Sequence, residues 1–231
     1  MNLTSIATSV IGSDQTIQTP FGEKPLIYAD YTASGRNLDF IEDFIRANVM
    51  PAYANTHTEI SHTGAQTTQY REQARQIIHR AVNGSDDDMV IFCGSGATTA
   101  VDKLMNILGI RIPSELAEKI HVEELLNEHE RPVIFVGPYE HHSNELPWRE
   151  SIGTVVSIPA DEQGQIDTQS LQEQLQKYAH HTLKIGSFSA ASNVTGIRTD
   201  VQKIAKILKA HDALSFWDYA AAAPYVGIDM N

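Results

Sequence analysis

Cysteine is almost missing from this chain. The single Cys93 excludes an internal disulfide framework and any multi-cysteine zinc site. Positive charge is also scarce. Seventeen Lys and Arg stand against 29 Asp and Glu, for a formal net charge of −12, and no basic block appears. Such a chain is unsuited to nucleic acid or to an anionic membrane surface. Long apolar runs are lacking, which argues against a membrane span. The first residues (MNLTSIATSVIGSDQT) have neither a basic lead nor a sustained apolar core, so no secretory signal is read there and a cytoplasmic, reducing compartment is expected. There is no internal repeat. What is present is ordinary: 42% hydrophobic and 20% charged residues over 231 positions. That composition excludes disorder, collagen and coiled coil, and the length suits one large domain or two small ones.

Residues 1–25 are polar and punctuated by Gly12, Pro20, Gly22 and Pro25, and read as an arm. From Leu26 onward short apolar runs alternate with helical patterns. The runs are Met89–Cys93, Val133–Val136, Thr154–Ile158, Leu183–Ser187 and Ala213–Trp217, each bounded by glycine or a polar cluster as buried strands are. Tyr70, Ala74, Ile77 and Ala81 fall on one helical face. Thr199 with Gln202 forms a capping-box pattern ahead of the stripe Val201, Ile204, Ala205 and Leu208. Asp167 reads as an N-cap, with Ile166 and Leu171 as a hydrophobic staple. The stretch Arg111–Arg131 is charged and helix-prone, a surface excursion. Strands alternating with helices predict an α/β fold with a largely parallel sheet.

In open α/β sheets ligands bind beyond the carboxyl ends of the strands, and four of these runs are followed at once by unusual polar groups. After Met89–Cys93 comes Gly94-Ser95-Gly96-Ala97-Thr98-Thr99, leading into an apolar helix. Two readings stand: a phosphate cradle at a helix N-terminus, or an ordinary tight turn. It is neither a P-loop nor a complete G-x-G-x-x-G. After Val133–Val136 comes Glu140-His141-His142-Ser143-Asn144-Glu145-Leu146-Pro147-Trp148. In an extended segment the two histidines would point to opposite sides, so one could stack on a flat ligand, act as acid or base, or ligate a metal. The plainer reading is a polar loop with Trp148 in the core. After Leu183–Ser187, Asn193 could donate to a ligand oxygen or stabilise its own turn. After Ala213–Trp217, Asp218 beside two aromatic residues needs a partner. A cationic ring nitrogen, backbone N–H groups or an arginine would each serve. Together the four suit a phosphorylated pyridine.

These motifs resemble the class V aminotransferases, the pyridoxal-phosphate group that includes the cysteine desulfurases. Glu140-His141-His142-x-Asn144-x-x-Pro147-Trp148 is similar to a stretch typical of SufS-type desulfurases. Ser95-Gly96-Ala97-Thr98 resembles the family's phosphate loop, and Ser192-Asn193-Val194-Thr195-Gly196 its Ser-Asn-x-x-Gly turn. Asp218-x-Ala220 followed by Pro224 resembles its Asp-x-Ala-Gln-x-x-Pro segment. Tyr28–Ser34 and Asn55-Thr56-His57 are similar to its opening motif and to an element near its active site. The likeness runs from about Tyr28 to the end.

The resemblance implies a fold-type-I pyridoxal-phosphate transferase large domain, a mostly parallel sheet flanked by helices. It covers residues 26–231 after the 1–25 arm and is incomplete at the C-terminus, without the small C-terminal domain. It implies pyridoxal 5'-phosphate as cofactor, with Gly96, Ala97 and Thr98 at the phosphate. His141 would stack on the ring and be the catalytic residue, Asn193 would bond the ring hydroxyl, and Asp218 would hold the ring nitrogen protonated. Asn55 and His57 would contact substrate, and no metal is expected. The implied partner is a small amino-acid substrate, acted on by aminotransferase or desulfurase chemistry in a full-length homodimer, with no nucleic acid and no membrane. Two departures stand out. Ala221 replaces the family's Gln, and the Schiff-base lysine and the desulfurase's cysteine loop have no counterpart before Asn231. Normal turnover is therefore not expected of this chain alone. The alternatives are a non-catalytic α/β module holding a phosphorylated ligand on Gly94–Thr99, and a metal-dependent hydrolase using His141, His142 and Glu145, although His-His-x-x-Glu fits no common ligand spacing on a helix.

Overall fold

A computed structural model describes residues 3–121 and 125–231. Residues 1–2 of the expected arm and 122–124 of the charged excursion lie outside the described residues. The chain divides into two compact units, Met1–Ile91 with Gly227–Asn231, and Phe92–Val226.

The first unit is assembled from short pieces. Helix α1 (Leu3–Thr8) precedes the antiparallel hairpin β1 (Thr16–Thr19) and β2 (Gly22–Pro25). Gly22 closes the hairpin at φ +89°, a left-handed conformation that glycine adopts without steric cost. Helix α2 (Asp39–Phe44) runs on through a π turn and a 3₁₀ turn to Ala52. Helix α3 (His62–Ala81) starts at Ser61, whose hydroxyl accepts from the Gly64 amide. The expected α3 stripe forms on a helix but is not buried: Ile77 is 60% exposed. Among the described residues of this unit no large apolar side chain is buried.

The second unit holds the core. Its helices are α4 (Ala97–Ile107), α5 (Ser114–Ile120), α6 (His142–Arg149), α7 (Thr168–Lys177) and α8 (Val201–Ala210). Its strands are β3 (Val133–Val136), β4 (Thr154–Ser157), β5 (Lys184–Ser189) and β6 (Leu214–Asp218). They form one parallel sheet in the order β4-β3-β5-β6. Parallel strands need crossover connections, and α6, α7 and α8 supply them in turn. Alternation sorts the side chains. Val133, Phe135 and Phe188 meet Leu171, Leu175, Ile204 and Leu208 on one face. Ile134, Val136 and Ile185 meet Trp148 and Met105 on the other. β3 and β5 are buried along their whole length, as central strands covered on both faces must be.

Four expectations change on contact with the structure. Met89–Cys93 has no regular secondary structure: it joins no ladder among the described residues, and Met89 and Ile91 are exposed. An apolar run becomes a strand only where a partner takes its backbone groups. The cap of α8 is Asp200, which accepts from the Lys203 amide, while Thr199 is drawn off to donate its hydroxyl to the Ser189 carbonyl at 2.7 Å. The segment after β3 is helix, not loop, from His142 on. Its two histidine rings lie 6.0 Å apart, tilted by 39°, and are not split across an extended strand. Asp167 does cap α7, accepting from the Gln169 and Ser170 amides, with Ile166 and Leu171 buried in one cluster. No helix among the described residues is long and apolar enough to cross a membrane.

The α8–β5 contact offers a test of this packing. A Cβ at Gly186 would lie 2.4 Å from a methyl of Leu208, which is fully buried and has nowhere to go. Overpacking of this kind costs about 1–3 kcal/mol. Gly186→Ala should lower the urea midpoint accordingly, whereas Gly35→Ala, which meets nothing within 4 Å, should leave it unchanged.

Candidate functional site

The sheet register brings three of the sequence candidates to one edge. Val136 ends β3 opposite Ser187, and Ser189 ends β5 opposite Asp218. The β3 loop carrying His141, the β5 loop carrying Asn193, and Asp218 itself therefore leave from the carboxyl ends of three adjacent strands. The fourth candidate, Thr98, lies in the first turn of α4, which packs on the α6 face of the same sheet.

The turn into α4 needs its first glycine. Gly94 sits at φ +58°, and a Cβ there would collide with the Thr99 side chain. Gly96 is the N-cap in extended conformation, with nothing within 4 Å of a Cβ built on it. The Thr99 amide closes back on the Gly96 carbonyl. Among the described residues the Ala97 and Thr98 amides have no acceptor, the usual state of a helix start that awaits water or an anion.

His141 caps α6. Its Nδ1 accepts from the Ser143 amide at 3.2 Å and lies 2.7 Å from the Ser143 hydroxyl. A nitrogen that accepts carries no proton, so the neutral ring holds its hydrogen on Nε2. The ring is exposed. Asn193 is exposed as well. Its turn is held by Ser192, whose hydroxyl accepts from the Val194 and Thr195 amides, and by Gly196 at φ +72°. The Asn193 amide group is thus not used up by its own turn. Asp218 is half-buried. Its Oδ1 accepts from the Ala220 amide at 2.8 Å, and no ion pair to it occurs among the described residues. Asn55 and His57 belong to the first unit. There His57, at φ +66°, donates its amide to Thr68, and its Nε2 lies 3.2 Å from Arg71.

The metal reading finds no ligand set. Glu145 is paired with Arg149 at 2.6 Å. Among the described residues no group of three His, Cys, Asp or Glu is placed to hold an ion. The lysines lie elsewhere. Lys184 is buried at the opposite end of β5, donating to the His181 carbonyl, and Lys203, Lys206 and Lys209 are exposed on α8.

One residue that sequence reading passed over is central here. The Glu140 carboxylate accepts four hydrogen bonds: from the Gly137 and Ser189 amides at 3.2 and 2.9 Å, from Asn144 Nδ2 at 2.6 Å and from the Ser189 hydroxyl at 2.8 Å. Asn144 Oδ1 accepts in turn from Ser187 Oγ at 2.8 Å, which accepts from the Trp148 indole N–H at 3.0 Å. The signal was in the string Glu140-x-x-x-Asn144, one helical turn apart. Its partners on β5 lie 43 and 49 residues away, beyond any local pattern. Burial pushes the Glu140 carboxyl above its ordinary 4.5, and the hydrogen bonds from Asn144, Ser189 and Gly137 oppose that rise. The folded chain therefore holds this proton more tightly than the unfolded chain does. The group favours the fold most below pH 4.5, and that contribution is lost as pH rises through the higher folded value. Urea titrations should show the wild type losing stability relative to Glu140→Gln over that rise; a pH-independent difference would refute the shift.

The chain matches the family model described as "Aminotransferase class-V" over residues 27–231. It is 28% identical over 215 residues to a protein of Halalkalibacterium halodurans described as "Probable cysteine desulfurase", covering 90% of this chain and 47% of that one. It is 29% identical over 188 residues to cysteine desulfurase SufS of Plasmodium vivax, covering 77% of this chain and 30% of that one. Among solved structures, a cysteine desulfurase from Thermococcus onnurineus superposes with a TM-score of 0.73 at 17% identity, over 99% of this chain and 50% of that one. The cysteine desulfurase CsdA of Escherichia coli gives 0.69 at 18%, over 99% and 51%. The chain thus spans about half or less of the length of these proteins. Its fold is that of the fold-type-I pyridoxal-phosphate enzymes, and the chain belongs to the class V aminotransferase family.

Proposed function

We propose that this chain is the cofactor-binding portion of a pyridoxal-phosphate enzyme that acts on an amino acid, of aminotransferase or cysteine desulfurase type, and that its full-length form is a cytoplasmic homodimer. The observation that carries this reading is unspent hydrogen-bonding capacity at the carboxyl edge of the sheet and at the start of α4. The Ala97 and Thr98 amides, the Asn193 side chain and the second oxygen of Asp218 all lack partners among the described residues. Those groups fit the cofactor's chemistry: donors for a phosphate, a donor for a ring hydroxyl, and a carboxylate for a protonated ring nitrogen. When bound, pyridoxal phosphate supplies an electron sink for a substrate carbanion.

The chain's own residues have distinct tasks in this reading. Gly96, Ala97 and Thr98 hold the phosphate at the start of α4. His141 lies against the ring face and exchanges a proton at Nε2, since Nδ1 is engaged by Ser143. Asn193 orients the ring through its hydroxyl. Asp218 keeps the ring nitrogen charged, and its half-buried setting strengthens that pairing. Asn55 and His57 contact the amino-acid substrate. Ala221 supplies no polar contact where the family has Gln.

Two measurements test the reading. The 231-residue chain should bind pyridoxamine 5'-phosphate, an amine form that needs no lysine. His141→Ala and Asp218→Ala should each weaken that binding about tenfold, the order of one ring-stacking contact and of one charge-assisted hydrogen bond respectively. A plain phosphate module would bind inorganic phosphate equally well and ignore both substitutions. Lys184 lies at the far end of β5, and Lys203, Lys206 and Lys209 are exposed on α8. Borohydride treatment with pyridoxal phosphate should therefore leave no single lysine labelled, and specific labelling of one lysine would overturn the non-covalent mode.

A further inference from the structure

We propose that Glu140 is a positioning residue that sets His141, Asn193 and Asp218 in mutual register, through its four hydrogen bonds across the ends of β3, α6 and β5. This rests on the cofactor reading above but names a residue that contacts no ligand in it.

The connections run outward from one carboxylate. Toward His141, Glu140 holds Asn144 Nδ2, and the Asn144 amide donates to the His141 carbonyl at 2.8 Å. The same first turn of α6 presents the Ser143 amide to His141 Nδ1. Asn144 is itself fixed from below by Ser187, and Ser187 by Trp148. The turn that aims the imidazole is thus anchored to the sheet through Glu140.

Toward the other two residues, Glu140 takes both the amide and the hydroxyl of Ser189. Ser189 is the last residue of β5 and lies opposite Asp218, and the Ala190 amide donates to the Asp218 carbonyl at 2.9 Å. The Ser189 carbonyl accepts from Thr199 Oγ1, and the Thr199 amide returns to the Ala190 carbonyl. These bonds close the loop that carries Asn193. The Gly137 amide completes the set, and a Cβ there would lie 2.8 Å from Glu140 Oε1.

The chemistry of the knot separates three substitutions. Glutamine keeps an oxygen for the Gly137 and Ser189 amides. Its Nε2 can donate to Asn144 once that amide flips, with Asn144 Nδ2 then donating to Ser187, so both backbone amides and the Asn144 side chain keep partners and only the Ser187 and Ser189 hydroxyl hydrogens must turn to new acceptors. Aspartate keeps the charge but is one methylene short of spanning both sides. Alanine leaves two inward-facing backbone amides without acceptors.

The experiment uses the full chain and two readouts: the Kd for pyridoxamine 5'-phosphate, and the ring ¹⁵N shifts of His141, which report whether Nδ1 accepts. Glu140→Gln should keep the affinity within about threefold and the ring shifts unchanged, whereas Glu140→Asp and Glu140→Ala should weaken binding about tenfold or more and move Nδ1 away from its accepting value. If Glu140→Ala does not fold, Glu140→Asp decides by the same criteria. A folded Glu140→Asp with wild-type ring shifts and affinity, whatever its melting temperature, overturns the proposal and leaves Glu140 a stability residue. If the wild type does not bind pyridoxamine 5'-phosphate, the cofactor reading fails, and the His141 shifts alone decide the role of Glu140.

Discussion

The pairing of β3 with β5 is the constraint on which the second unit depends. All ten residues of the two strands are buried, so neither has a face free for water or ligand. Helices must cover both sides, and α4 with α6 and α7 with α8 do so. Polar groups that serve a ligand are then left with the strand ends. The parallel direction gathers the carboxyl ends on one side, and the register sets them level. The edge where chemistry can occur is thus a consequence of the core, as holds for open α/β sheets generally.

That edge is costly to maintain. Loops leaving adjacent parallel strands share no ladder beyond the last pair, and each is free to drift unless something ties it back. Here the tie is polar and buried. A carboxylate in such a place faces a desolvation cost, visible in its raised affinity for a proton. It persists because four donors converge on it. An apolar residue of similar size would avoid the desolvation cost but could not fix the direction of the Ser189 amide or of the first α6 turn. Hydrogen bonds are directional and apolar contact is not, which favours a polar knot where a site needs a defined geometry. The same reasoning explains Trp148: its indole fills the α6 face while its N–H orients Ser187.

Much of this was legible in the sequence. Four of the five apolar runs became the parallel strands, because β-branched residues between turn signals have few other stable fates. Asp167 and its staple were readable because every partner lies within five residues. Cys93 and its neighbours misled because hydrophobic content predicts burial, not pairing, and no ladder partner for Met89–Cys93 occurs among the described residues. The α8 cap moved by one residue because Thr199 has a distant competitor, the Ser189 carbonyl. Glu140 stayed hidden for the same reason: its meaning is spread over three elements. The histidine pair drew attention by composition, yet the residue before it holds the arrangement together.

The roles of Ser192 and Asn193 show how a structure changes the weight of a sequence motif. An Asn in a tight turn most often serves its own backbone, and on sequence alone that reading competes with ligand binding. Once Ser192 is seen to accept from both turn amides, the turn no longer needs Asn193. Gly196 absorbs the left-handed residue, so Asn193 is not required for that either. An exposed amide without a local task, next to the carboxyl end of a buried strand, is then a stronger candidate than its residue type suggested. The same elimination applies to Asp218, where one oxygen closes the turn to Ala220 and the other remains. The candidates at this edge are read from what the fold has left unsatisfied.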